Sequence, residues 1–310
     1  MPALSIVKAA NAAFSPSYLP VAIFVGGTSG IGQAMAEAFA RYTKGNAHII
    51  LCGRNREAAE RIIATFPKPS ISQPEARHEF VACDAMLMRN VHTTTSSLLD
   101  RLPKVNFLVL SPGFFNVTGR DESSEGIDKR LGLHYYTRWK FTYDLLPLLK
   151  RARDAGEDAK MMTILGAGAG GKIDLDDLSL KKRYNVASAG LSGCTYNDLM
   201  IESFAEKELG ISFIHAAPGV VRTPLLQPDS LVLRPVVGAL MLLMYPFTLS
   251  AEDCGEYMLW ALLNSGSGAQ RRDSKGDDIG KKRYYGSEEA RSRLWEHTVA
   301  EMKRVISADA

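Results

Sequence analysis

Gly26, Gly30 and Gly32 are the residues whose spacing most directly implies chemistry. They follow the apolar run Ala22-Ile23-Phe24-Val25 and precede Gln33 to Ala40, which is patterned as a helix, so they fall where a buried strand turns into a helix. A helix start presents free N–H groups and the positive end of the helix dipole, and Thr28, Ser29 and Ile31 carry the backbone to that point. A pyrophosphate is therefore the expected occupant. Gly26 permits the tight turn, Gly30 the close approach of the phosphates, and Gly32 the packing of helix on strand. The spacing is G-x-x-x-G-x-G, not G-x-G-x-x-G.

That turn resembles the short-chain dehydrogenase/reductase family, and four further segments match in the family's order. His48 to Arg54 resembles the second strand and the loop that meets the adenosine ribose, and Phe80 to Asp84 the third, where Asp84 is placed against adenine. Phe107 to Gly113 stands where the family has a strand ending in Asn-Asn-Ala-Gly, with Gly113 beside the cofactor. Ile211 to Gly219 is similar to the sixth strand and its Pro-Gly turn, Pro218-Gly219, followed by Thr223 in the place that binds the nicotinamide carboxamide. The resemblance implies an α/β fold with a Rossmann-type doubly wound parallel sheet. It also implies a bound NADP(H), because Arg54 stands where NAD-preferring relatives carry an acid, and a guanidinium there suits a 2′-phosphate.

The family's usual Ser, Tyr and Lys do not fall on residues of those types. Asp176-Asp177-Leu178 and Tyr184 resemble the retinol-dehydrogenase-like branch, and that frame puts Gly190 at the tyrosine position, Cys194 at the lysine and Gly166 at the serine. Counting back from Thr142 and Leu145-Leu146-Pro147 puts His134 at the position of the relay Asn. The candidate reactive groups that remain are His134, which titrates near neutral pH, Tyr184 if it swings inward from the helix entry, Cys194, and the Ser111 hydroxyl. Each also has a structural reading: a satisfied helix histidine, a packed tyrosine, a small buried thiol and a strand-end serine. Tyr196, about 200° round the helix from Cys194, is expected to pack elsewhere.

Strands and helices alternate along the chain, which reads as one domain over residues 1–310. Residues 1–20 form a lead expected on the sheet edge. Helices are expected from Arg54 to Thr65, Val91 to Leu102 and Gly126 to Arg151, the last bent or shortened by Pro147. Met161 to Leu165 reads as a fifth strand before a Gly-rich run. Residues 225–250 are expected to be a substrate lid, since Leu231 to Leu249 is almost wholly apolar. Core packing and a membrane-surface helix are the alternatives for that segment. Residues 266–286 read as a charged loop, and Ser287 to Ser307 as a terminal helix anchored by Leu294 and Trp295.

The 37 basic and 34 acidic residues leave a net charge of +3, too balanced for a nucleic-acid ligand. The runs at Lys181-Lys182-Arg183 and Lys281-Lys282-Arg283 read as solvated loop charges. The six histidines show no metal spacing. No C-x-x-C occurs among Cys52, Cys83, Cys194 and Cys254, and no secretion signal is evident, so a cytoplasmic, reducing setting is expected, with Cys52 and Cys83 as buried thiols. A homodimer stays open. Hydride transfer to a plain ketone leaves an alkoxide that needs an acid, worth about 10²–10⁴-fold. The favoured reading is thus an NADP(H)-dependent reductase of a lipophilic or alkaloid-like specialised metabolite, with an iminium or conjugated acceptor. A redox-neutral cyclase or isomerase, or a nucleotide-binding pseudoenzyme, is the alternative. The sequence style resembles divergent fungal members of the family.

Overall fold

A computed structural model describes residues 2–113, 119–223 and 248–307. Strands β1 (Val21–Val25), β2 (His48–Gly53), β3 (Arg77–Ala82), β4 (Phe107–Leu110), β5 (Lys160–Ile164) and β6 (Ser212–Ala216) are parallel, and the sheet order runs β3-β2-β1-β4-β5-β6. The short β7 (Val221–Arg222) and β8 (Leu249–Ser250) pair with each other, and β9 (Gly268–Arg272) adds a seventh strand beside β6. A sheet covered on both faces buries every residue of a central strand. All five residues of β1 are buried accordingly, with Ala22 and Phe24 facing one core layer and Val21, Ile23 and Val25 the other. The chain steps from β3 back past β1 to β4, so the strand order reverses between β1 and β4, where open α/β sheets hold their ligands.

One layer holds α1 (Leu4–Ala12), α2 (Gly30–Tyr42), α3 (Arg56–Thr65) and, late in the chain, the helix Ala251–Asn264. The other holds α4 (Met88–Arg101), the turn α5 (Lys129–Leu131), α6 (Thr137–Asp154), α7 (Val186–Lys207) and a terminal helix Glu288–Ser307. The late helices are numbered α8 and α9 in that order.

Three expectations are corrected. The N-terminal lead packs on α8 and the helix layer, not on the sheet edge: Asn11 Nδ2 donates to Glu256 at 2.8 Å, and the Phe14 ring meets Phe39 and Phe107. The charged segment 266–286 contains β9, whose register on β6 (Ser212 with Gly268 through Ala216 with Arg272) completes the sheet edge. Pro147 lies inside α6, which runs on to Asp154. The carbonyl that proline leaves unpaired belongs to Tyr143, 47% exposed, where water can take it. The disturbance falls earlier, in a π-turn from Gly132 to Tyr136. Of the lid segment 225–250, residues 225–247 lie outside the described residues.

The aromatic anchor at the terminal helix holds. Leu294 is buried, and Trp295 packs edge-on against Trp139 and Phe204. Tyr135 and Tyr136 of the π-turn bond Thr298 at 2.7 Å and His297 at 2.8 Å. The four cysteines are free, Cys52 and Cys83 both buried, as expected. Among the described residues no helix is long and apolar enough to cross a membrane, and no cluster of metal-ligating groups occurs.

Candidate active site

A cleft of about 280 Å³ opens at the carboxyl ends of the strands, across the reversal point. One end is built by the glycine turn. Gly26 has φ +81°, and a Cβ there would lie 2.9 Å from the backbone of Ser111 and Pro112. A Cβ on Gly32 would meet Gly26 O at 2.6 Å as well as the Ser111 hydroxyl, so only glycine lets α2 sit on the strand ends. Helices α3, α7 and α8 are capped by the side chains of Asn55, Asn185 and Ser250, whereas Ser29 makes no side-chain cap on α2. The leading amides of α2 thus meet the cleft, and the fit to a diphosphate is good. Thr28, Ser29, Gly30 and Ile31 line this end, with exposed Arg54 after β2 and Asp84 after β3. Asp84 Oδ1 accepts from Met86 N at 3.1 Å. Gly113, Pro218 and Thr223 line the cleft as well, Thr223 beside Gly30. Gly219 does not reach the cleft and serves the turn itself, with φ +73°.

The other end is formed where β4, β5 and the π-turn meet. His134 lines it, and its carbonyl accepts from Asn197 Nδ2 at 2.7 Å. Ser111 lines it too, but its Oγ lies 3.1 Å from Val25 O, to which it donates, so its hydroxyl serves strand-end packing. Tyr184 stays away from the cleft beside Arg130 and Asp128, and burial pushes its phenol up. Tyr196 is buried and donates to Leu178 O at 3.0 Å, as expected. Of the three positions taken from the resemblance, two come together: a Cβ on Gly166 would lie 2.7 Å from Cys194 Sγ, whereas one on Gly190 would meet nothing within 4 Å, and none of the three is among the described residues lining the cleft. Burial pushes the Cys194 thiol up to about 12, so it is protonated at neutral pH. No tyrosine or lysine is among the described residues lining the cleft.

The sequence reading missed Arg138. It is 1% exposed, lines the cleft, and spends its guanidinium on oxygens of Leu133, Leu110, Thr163, Ile164 and Pro112 at 2.7–3.0 Å. Arg138 also lowers the Cys194 thiol, although burial outweighs it. A charged residue inside the aromatic run from Leu133 to Phe141, one helical turn after His134, was the available signal. The reading also missed a buried relay behind Gly166. His215 Nε2 accepts from Gly166 N at 3.1 Å, and its Nδ1 faces Asp198 at 2.6 Å, which Arg271 also binds at 2.9 Å. Burial lowers the His215 pKa, so this imidazole is neutral and fixes the Gly-rich loop.

The sheet order, the glycine turn and the cleft across the reversal point define the Rossmann-type class of α/β folds, in which dinucleotide sites lie at that reversal point. Within that class the chain belongs to the short chain dehydrogenase family, whose pattern matches residues 20–156. It is 32% identical to "Oxidoreductase andH" of Emericella variicolor over 84% of this chain and 74% of that one. It is 34% identical to "Oxidoreductase AN1596" of Emericella nidulans over 72% of this chain and 65% of the relative, a little under two thirds of that protein's length. Among solved structures, an uncharacterized Mycobacterium paratuberculosis protein superposes with TM-score 0.67 at 17% identity, covering 94% of this chain and 97% of the other. NADPH-bound carbonyl reductase from chicken fatty liver gives TM-score 0.58 at 15% identity, over 84% and 99%.

Proposed function

We propose that this short-chain dehydrogenase is an NADP(H)-linked reductase that delivers hydride to a lipophilic acceptor without a tyrosine-lysine proton relay. The observation that carries the reading is the pair of positions on α7: no neighbour within 4 Å of a Cβ at Gly190, and a neutral, half-buried thiol at Cys194. Gly190 has no proton to give and Cys194 does not line the cleft, so no acid stands there for an alkoxide as it forms and plain ketones are poor substrates, while an iminium or conjugated acceptor needs no such acid. The bound dihydronicotinamide supplies the hydride. Gly26, Gly30, Gly32 and the start of α2 hold the diphosphate, Arg54 the 2′-phosphate, Asp84 the adenine side and Thr223 the carboxamide side. His134, which lines the cleft, or solvent would return a proton to carbon after hydride addition. The apolar composition of Leu231 to Leu249 fits a lipophilic substrate, and the fungal relatives fit a specialised metabolite.

The test uses 4-deuterated NADPH with a plain ketone, a conjugated enone and an iminium salt. Deuterium in the reduced enone or iminium product, with negligible ketone turnover, is the expected result. Robust ketone reduction overturns the assignment of Gly166, Gly190 and Cys194. An unlabelled, rearranged product with no nucleotide consumed makes the protein a cyclase or isomerase. NADPH binding with no product from any acceptor leaves a nucleotide-binding protein without catalysis.

A further inference from the structure

We infer that Arg138 sets the class of acceptor, favouring one that becomes anionic at oxygen, such as an α,β-unsaturated carbonyl, over a cationic iminium. The inference rests on the reductase reading above and chooses between the two acceptor types it allows. Its basis is placement. The guanidinium is buried at the ends of β4 and β5 and lines the reaction end of the cleft, and every hydrogen-bond partner it has is a neutral oxygen. It pairs with no carboxylate among the described residues. Asp198, the carboxylate of the neighbouring buried network, is held by Arg271 and His215. The cleft's other formal charges, Arg54 and Asp84, follow β2 and β3 on the far side of β1. Burial lowers the Arg138 pKa to about 9, which leaves it protonated at neutral pH.

A full positive charge in a poorly solvated site acts on whatever charge develops beside it, because the low local dielectric screens it weakly. Hydride added to the β-carbon of an enone moves the π pair onto oxygen as an enolate. A proton from His134 or solvent would then add at the α-carbon, and the dihydronicotinamide that gives up the hydride would become the nicotinamide cation. Negative charge rises during that step and Arg138 stabilises it. An iminium enters already positive, so the same guanidinium opposes its binding. Because Nε, Nη1 and one N–H of Nη2 already donate to backbone carbonyls and the Thr163 hydroxyl, Arg138 acts chiefly through its field and is a positioning residue here.

The experiment reads binding, not turnover. NADPH is first titrated by fluorescence, which examines the nucleotide reading separately. The NADPH complex is then titrated with two planar probes, 4-nitrophenol and N-methylquinolinium, and the ionisation of bound nitrophenol is followed by its absorbance. The expected result is at least tenfold tighter binding of nitrophenolate than of quinolinium, with the bound phenol ionising at lower pH than in buffer. Arg138→Met erases both effects and Arg138→Lys keeps part of them. If the Met variant does not fold, the two wild-type affinities decide. Quinolinium binding as tightly as nitrophenolate, no response to Arg138→Met in a folded variant that still binds NADPH, or no binding of either probe overturns the inference. Failure of NADPH itself to bind removes the reductase reading, and the inference with it.

Discussion

The two ends of the cleft are built in different ways. The nucleotide end is made of backbone: a glycine turn, an uncapped helix start and strand-end loops, with charge contributed by exposed Arg54 and half-buried Asp84. The reaction end is made of buried side chains, with Arg138 gathering the carbonyls of β4 and β5 and the His215–Asp198–Arg271 cluster holding Gly166 from behind. Backbone geometry at the first end follows from glycine positions that tolerate no substitute. On the proposed mapping, the second end keeps the family's architecture while the residues on it differ, because a helix face presents whatever side chain stands there. On the proposed reading, one end keeps the nucleotide and the other is free to change the chemistry.

The sharpest way to break this contrast is to write the family's residues back into the reaction end. Gly190→Tyr with Cys194→Lys is expected to raise NADPH-dependent reduction of a plain ketone by roughly 10²-fold or more, since Gly190 has room for a ring and a positioned acid contributes on that scale. No gain in a folded double variant would show that the mapped positions are wrong. The nucleotide end responds to one added side chain. Gly32→Val is expected to cost about 3 kcal/mol of NADPH binding, on the order of a hundredfold, by driving α2 off Ser111 and Gly26. Unchanged affinity by calorimetry would mean that the diphosphate sits elsewhere.

A smaller change sharpens the choice of nucleotide. Arg54→Asp is expected to lower NADPH affinity roughly tenfold and abolish or invert the preference over NADH, as loss of a charge-assisted contact implies. Equal affinities of the wild type for the two nucleotides would remove Arg54 from the site. The smallest effect concerns acid stability on the nucleotide side. Glu79, bonded by His48 at 2.6 Å and Arg101 at 2.7 Å, has its carboxyl lowered from its usual value to about 2, chiefly by the His48 bond. Its contribution is complete above the ordinary carboxylate range and is lost as pH falls from about 4.5 towards 2. Partial exposure limits it to about 1 kcal/mol. Glu79→Gln is expected to lower Tm at pH 7 and leave it unchanged at pH 2, which thermal melts at the two pH values check.

What could be read from the sequence follows the same division. Gly26, Gly30 and Gly32 carry their reason in their type, and the apolar runs of β1 and β4 are legible because parallel strands are buried on both faces. β9 escaped notice because Gly268-Ala-Gln-Arg-Arg is polar for a strand; it sits at an edge, where one neighbour suffices. The π-turn left no signal in periodicity, since one widened turn shifts the pattern without weakening it. Arg138 was lost among aromatics, because its partners are carbonyls from β4, β5 and the π-turn, and backbone oxygens have no sequence signature. Pro147 misled in the opposite direction: proline cost α6 one hydrogen bond at an exposed turn and nothing more.

The π-turn at Gly132 to Tyr136 also has a bearing on how such a site changes over time. A widened turn holds one residue more than an ordinary one, so it works as a phase shift of about 100° between the helix before it and the helix after it. Loss of a single residue there would leave composition, hydrophobic content and family resemblance almost untouched. Yet it would rotate one side of the joint against the other, parting the residues that Tyr135 and Tyr136 hold against His297 and Thr298 from those that α6 anchors in the core. In this fold a one-residue indel in a helix, ordinarily read as alignment noise, is a route by which the reaction end can be re-aimed while the nucleotide end stays as it was.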